Sequence, residues 1–352
     1  MADNTTTQLT PVFIIYLNDQ RISVDMESDV KDIRVEKNID QSSIFAITLS
    51  DMERKWTDHP DFIEGTKVKI MLGYKDAVAE VITGRIIGMK PMFKKNTGVR
   101  VTIKGCDIMH QLHRGKKTVT FANMTDKEIV EKISTGAGVA VDCEEIGKAK
   151  TFTAQTNQTD YEYLLEIGRR YNCRLVIKND KLMFRPIEDN STEEVIVEWG
   201  KTLMEFHPDM DSRRIVTDVE ALGWDNIKKS AIDGIAGYGD IKKTIGQGNT
   251  GGATVLDNYG NTKIVLLDDT IDDLNSAEKK AIETITKNSM GYIKAKATVQ
   301  GNNKIDAGMI VNIKEIGKKL SGEYFVTEVE HLFITEWGYT TNFRCVRNAA
   351  SG

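Results

Sequence analysis

Cys106, His110 and His113 are spaced like metal ligands. On an α-helix, steps of four and three stack three side chains on one face, and a thiolate with two imidazoles is a zinc-type donor set. Two features count against that reading. Zinc sites usually draw a ligand from a second segment, and Gly105 and Gly115 leave little room for a long helix, so polar packing at a domain junction explains the trio better and no metal is expected. The glycines of 246–252, GQGNTGG, suggest a phosphate cradle but lack the Gly-Lys-Ser/Thr ending and the strand-to-helix setting, which leaves a flexible loop. Hydrolysis would need a nucleophile beside a base, or two catalytic carboxylates. Neither G-x-S-x-G nor H-E-x-x-H occurs, and Cys173 has no histidine near it in sequence. Asp160, Glu162 and Glu166 fit helix-start charges on a solvated face, and the run His113–Lys117 fits a short solvated cationic turn. No catalytic, cofactor-binding or metal residue is therefore assigned, and the chain is expected not to be an enzyme.

The elements around these residues read more clearly than the residues themselves. In FANMTDKEIVEKISTGAG, Thr125 and Glu128 form a capping box, Ile129, Val130 and Ile133 a buried stripe, and Gly136 with Gly138 a left-handed stop. In QTDYEYLLEIGRRYN the box is Thr159 with Glu162, the inward face is Tyr161, Leu164, Leu165, Gly168 and Tyr171, and the helix ends at Asn172. RLVIK and KLMFR, joined by Asn179-Asp180, predict a β-hairpin. Residues 105–188 are thus an α/β insert of two helices and a hairpin.

The flanks are β-rich. Residues 11–50 alternate in strand fashion with a turn at Asn18-Asp19, and a loop with Trp56 and Pro60 follows. Three glycine-marked elements then occur in order, Gly65-Thr-Lys-Val-Lys-Ile70, Thr83-Gly84 and Gly98 with Ile103 five positions on. They return as Gly308-Met-Ile-Val-Asn-Ile313, Ser321-Gly322 and Gly338 with Phe343. One such element means little, but three in the same order predict a duplicated β-domain. The second copy is expected to start with strands at Val195–Trp199 and Arg214–Leu222. It is then broken by a glycine-rich, mobile excursion with few apolar anchors over 226–262, followed by a helix capped by Asn275 and Glu278 that turns Ala281, Ile282 and Ile285 inward. The division is therefore 1–104, a first β-domain; 105–188, the insert; 189–225 with 263–348, a second β-domain; and 226–262, the excursion.

Composition excludes several classes. A charge of −5 over 352 residues argues against a surface built to coat nucleic acid, and 40% apolar with 28% charged residues is a globular balance. The polar start MADNTTTQLT has no secretory pattern, and Val12–Leu17 is too short to span a bilayer. Four scattered cysteines without a C-x-x-C pair suit free thiols and folding in a reducing cytoplasm. Four scattered tryptophans rank a carbohydrate- or receptor-binding module last.

TGRIIGMKPMF, then GVRVTIKGCDIMHQLHRGKKTVTFANMTDKEIVEKI, then QTDYEYLLEIGRRYNCRLVIKNDKLMFRP, and finally DAGMIVNIKEIGKKLSGEYFVTEVEHLFITEWGYTTNFRCVRN resemble the baseplate hub of contractile tails. That family takes in phage late-control hub proteins, the hub part of type VI secretion spike proteins and related extracellular injection systems. The resemblance runs from about Pro11 to Asn348 and is weakest over 226–262. It implies an α+β, mainly β fold in which two tube-like β-barrel domains flank the insert. It further implies a homotrimeric virion component of pseudo-sixfold symmetry, adapting a hexameric inner tube ring to a trimeric spike and initiating the tube. Other baseplate components and a tape-measure protein would be its neighbours, with no stable nucleic-acid binding and no membrane insertion by this chain. Assembly would occur in the bacterial cytoplasm, in a phage, a tailocin or an injection system. The sequence ends at Gly352 without a spike or lysozyme module, so the puncturing part is expected on another chain. The competing reading is a tail-associated cell-wall hydrolase.

Overall fold

From Pro11 to Leu17 (β1) alternate side chains enter the core, and Asn18 and Asp19, both at positive φ, turn the chain into Gln20–Arg21 (β2). In the computed structural model the described residues are 10–95, 98–171, 173–178, 180–186, 195–225, 228–241, 244–268, 271 and 273–351. Ser23 caps the short helix Val24–Asp29 (α1) and sets Met26 into the core. Val30–Asn38 (β3), Ile44–Ser50 (β4), Lys67–Tyr74 (β5), Ala77–Lys94 (β6) and Gly98–Cys106 (β7) then pair antiparallel in the order β3-β4-β7-β6-β5-β1-β2. Ile33, Val35, Val68, Ile70, Leu72 and Val101 are wholly enclosed. Within the loop, the Asp51 carboxylate accepts the amides of Trp56 (2.8 Å) and Thr57 (2.9 Å), which seats the Trp56 ring in that core.

The insert contains more strand than expected. Lys117–Phe121 (β8) pairs antiparallel with Thr153–Gln158 (β10), while Ala140–Cys143 (β9) lies parallel to Lys181–Pro186 (β12), which pairs in turn with Cys173–Lys178 (β11). The hairpin is as predicted, with Asp180 at φ 57°; Asn179, like Asn172, lies outside the described residues. Both capping boxes form, Thr125 with Glu128 on Asp126–Gly136 (α2) and Thr159 with Glu162 on Asp160–Tyr171 (α3). The inward face of α3 is rotated from the expected one. Tyr163, Leu164, Ile167 and Gly168 are buried, whereas Tyr161, Leu165 and Tyr171 are half-buried, because hairpin β11–β12 takes Gly168 as its contact point and swings the neighbouring stripe in. The insert is tied to the first half through Asp40, whose carboxylate accepts Leu175 N and Arg174 Nη1, each at 2.9 Å.

The second half repeats the strand order of the first. Val195–Glu198 (β13) and Leu203–Met210 (β14) come first. Asp218–Asp225 (β15), Ser230–Gly237 (β16), Asn249–Thr250 (β17), Gly251–Tyr259 (α4), Lys263–Leu267 (β18) and Leu274–Ser289 (α5) intervene. Ile293–Gln300 (β19), Ile310–Lys314 (β20), Gly322–Ile334 (β21), Gly338–Arg347 (β22) and Ala349–Ala350 (β23) close the chain. Pairing runs β14-β19-β22-β21, then β20 on β21 and β13 on β20. Strand for strand this matches β3-β4-β7-β6-β5-β1, although β13 joins its neighbour parallel where β1 joins antiparallel. Irregularities match too: Val30/Asp32 with Leu203/Glu205, and Ile86/Gly88 with Val326/Glu328. Gly65 and Gly308 (φ 91° and 89°) and Gly98 and Gly338 (φ 81° and 91°) are equivalent, as the sequence repeat suggested. The middle element is not. Val68 faces Gly84 while Val311 faces Tyr324, so Gly322 corresponds to Ile82 and the Thr83-Gly84/Ser321-Gly322 match is two residues out.

Four further expectations are corrected. Two barrels were expected, but among the described residues no closed barrel is detected and the large sheet is an open path from β14 to β2. β15 leaves that sheet for a separate one with β16 and β18, backed by α5, so the second copy takes β14 and not Arg214–Leu222 as its strand. The cap of α5 is Asp273, which accepts Ser276 N at 2.8 Å, rather than Asn275. Apolar anchors are not scarce between 226 and 262: among the described residues there, Ile232, Ala236, Ile245 and Val255 are buried.

Candidate assembly surface

The residues singled out for chemistry are pulled apart by the fold. Cys106 ends β7 and is buried, while His110 and His113 sit on a 3-10 turn, Ile108–His113. His110 Nδ1 lies 2.7 Å from the Asp107 carbonyl, and His113 stacks on Tyr161 at 3.9 Å, with burial as the first cause of its lowered pKa. Among the described residues no group of three or more His, Cys, Asp or Glu is placed to hold a metal. The 246–252 glycines do precede a helix, contrary to expectation, but they serve close packing. A Cβ on Gly248 would stand 2.2 Å from the Ala350 carbonyl, and one on Gly251 2.7 Å from the Tyr292 ring. Asp160 is buried rather than solvated, holding Lys117 at 2.6 Å and Gln155 at 3.1 Å, while Glu166 bonds Gln158 and Arg170. Lys117 is thus a partner inside the insert, not a free cation. Cys173 opens β11 and is buried.

What the sequence did not single out is the join between the two halves. Residues 328–334 of β21 pair antiparallel with residues 32–38 of β3, Phe333 opposite Ile33 and His331 opposite Val35. One face of this seam is apolar: Val329, His331 and Phe333 are buried, and Phe333 meets Phe13 edge-on at 5.0 Å inside the first core. The other face is charged and internally matched. Arg34 reaches Glu330 at 3.2 Å and Arg344 reaches Glu328 at 3.2 Å, while Lys37, on the His331 side of the seam, holds Asp306 at 2.8 Å. A groove of about 460 Å³ runs over this charged face from β14 to β3, lined among others by Glu36, Glu205, His207, Lys296 and Arg344.

The seam uses one edge of each half, and two of the strand edges it leaves open are alike in character. Residues 88–94 of β6 pair only with β7, and β14 pairs only with β19. Here large apolar side chains face solvent: Met89, Met92 and Phe93 on β6, the last 62% exposed, and Met204 on β14. No helix among the described residues is long and apolar enough to cross a membrane.

The fold is shared with known tail proteins. A tail protein from Neisseria meningitidis superposes with a TM-score of 0.71 at 12% identity, covering 96% of this chain and 97% of that one. The 43 kDa tail protein of a Shewanella oneidensis prophage gives 0.72 at 13% identity, covering 97% and 100%. An E. coli component of the type VI secretion system, itself described as structurally similar to bacteriophage T4 tail proteins, gives 0.60 at 11% identity, covering 95% and 76%. No curated protein sequence matches the chain. The model of the Alg8 N-terminal domain family matches residues 8–336, nearly the whole length, and the chain belongs to that family.

Proposed function

We propose that this protein is a structural baseplate hub of a contractile phage tail or contractile injection system, a homotrimer that adapts a hexameric inner tube to a trimeric spike. The observation that carries this reading is the recurrence of one six-strand order within one chain, joined edge to edge at β3–β21. Two similar but unequal units per chain turn three chains into six similar walls, which permits a sixfold partner on one side and a threefold partner on the other. In this proposal the first tube-like domain is 1–104, the insert 105–188 projects outward, and the second domain is built from the strands after 189 that share the large sheet. The role is non-enzymatic and tail-associated, with assembly in the bacterial cytoplasm and contacts to the tube, the spike and other baseplate proteins. Likeness to tail proteins and to a type VI secretion component supports the class.

The test is co-expression with a candidate spike chain, mass by light scattering, and end-on imaging. Three chains with six similar lobes are expected. A stable monomer or dimer, or a ring of six chains, would overturn the reading.

A further inference from the structure

We infer that the two open edges mate with each other between chains: residues 89–94 of β6 in one copy pair antiparallel with residues 205–210 of β14 in the next, in a register fixed by the seam inside the chain. This deepens the ring reading and rests on it.

The register follows from equivalence. Both hairpins turn at the same place, Lys94 facing Gly98 and Ile334 facing Gly338, so Phe93 stands where Phe333 does, Pro91 where His331 does and Lys90 where Glu330 does. The irregularity shared by β3 and β14 likewise places Phe206 at Ile33, Pro208 at Val35 and Asp209 at Glu36. Replacing each partner in the β21–β3 ladder by its counterpart gives Lys94 opposite Glu205, Phe93 opposite Phe206, Met92 opposite His207, Pro91 opposite Pro208, Lys90 opposite Asp209 and Met89 opposite Met210.

The contacts in this register are chemically complementary. Both lysines meet acids on one face, and Phe meets Phe and Met meets Met on the other. A slip of two residues either way sets Lys94 against Leu203 or His207 and loses the match. Burial points the same way. Phe333 is buried within the core of the first half, whereas its counterpart Phe93, with Met89 and Pro91, is exposed on the matching face. A second copy's β14 would cover them as β3 covers β21.

The prolines explain how such edges stay apart before assembly. A proline fits a ladder only where its missing N–H faces away from the paired strand, so Pro91 and Pro208 both present their gap to the open edge and blunt it against indiscriminate pairing. In the inferred register the two gaps coincide. Any other register would interrupt the ladder at two points.

The experiment uses the full chain in a Cys143→Ser background, since the other three cysteines are buried. Met92→Cys with His207→Cys should give covalent dimers and trimers on mild oxidation, because only directly opposed positions meet disulfide geometry. Met92→Cys with Glu205→Cys, a pair that needs the slipped register, should not. Lys90→Glu with Lys94→Glu should weaken assembly at least tenfold, and adding Glu205→Lys with Asp209→Lys in the same chain should restore it. If the wild-type chain is a trimer by mass but the Met92→Cys/His207→Cys variant forms no interchain disulfide, or the Met92→Cys/Glu205→Cys variant does, this seam is overturned and the ring is left standing. A wild-type chain that stays monomeric, with neither cysteine variant cross-linking, overturns both.

Discussion

His331 is completely enclosed at the seam, its Nδ1 2.8 Å from the Tyr339 hydroxyl and 3.4 Å from Thr341 Oγ1. Burial first, and then the charge of Lys37, push its pKa down to about 3, so the ring is neutral in the folded chain. In the unfolded chain the same ring protonates near its ordinary 6.5. Between those values the unfolded state binds the extra proton, so the contribution is complete above pH 6.5 and is lost as pH falls towards 3, with a slope of about 1.4 kcal/mol per pH unit. Urea unfolding midpoints taken between pH 7 and 4 should therefore fall less steeply for His331→Gln than for the wild type; equal slopes would remove the histidine from the account. Arg347 shows why such residues were illegible in the sequence. Its guanidinium is wholly buried with no carboxylate partner among the described residues, satisfied by the carbonyls of Ala349, Lys319, Leu320 and Ser321 and lying over the Tyr324 ring. An arginine in a strand-like run gives no hint of the three carbonyls that reach it from residues 319–321. Asp160 was misjudged for the same reason, because its partners Lys117 and Gln155 are supplied by other strands.

Strands β6 and β21 occupy equivalent places, so the same substitution on each separates intrachain from interchain work. Phe333→Ala opens a hole between Phe13, Ile33 and Tyr339 and should cost on the order of 3–5 kcal/mol, seen as a lower melting temperature. Phe93→Ala, at an exposed site, should leave the melting temperature of the isolated chain within about a degree or two while reducing oligomer mass. Equal losses from the two would contradict the distinction. Elements whose signals are local were readable beforehand. The capping boxes of α2 and α3 and the hairpin β11–β12 each depend on residues a few positions apart. β14 was missed because Glu205, His207, Pro208 and Asp209 spoil its alternation, and it is a strand only because β19 lies beside it. Glycine spacing carried the repeat correctly where a positive φ demands glycine, at 65, 98, 308 and 338. It misled at 84, where the demand is for close approach to the Cys106 carbonyl, a need not shared by Tyr324.

At the scale of the whole molecule, the unit between β14 and β19 is tied back at several points. Ile245 N donates to Asn348 at 2.7 Å, β17 pairs with β23, and Gly248 packs against the Ala350 carbonyl. Limited proteolysis should accordingly spare 244–259 about as well as 159–185, read by mass spectrometry of the first fragments; early cuts there would restore the mobile excursion expected from its glycines. The position of this unit has another meaning. In the first half, β3 and β4 are joined by the turn 39–43, and the equivalent strands β14 and β19 are joined by residues 211–292. One connection thus exists in the same fold as a tight turn and as an α/β unit, with the flanking ladders and even the β3/β14 irregularity unchanged. Because the entropic cost of closing a loop grows only logarithmically with its length, the β14–β19 connection is the natural port for foreign sequence. A binding module or a fluorescent reporter spliced there would ride on the sheet while the strands that hold the chain together keep their register.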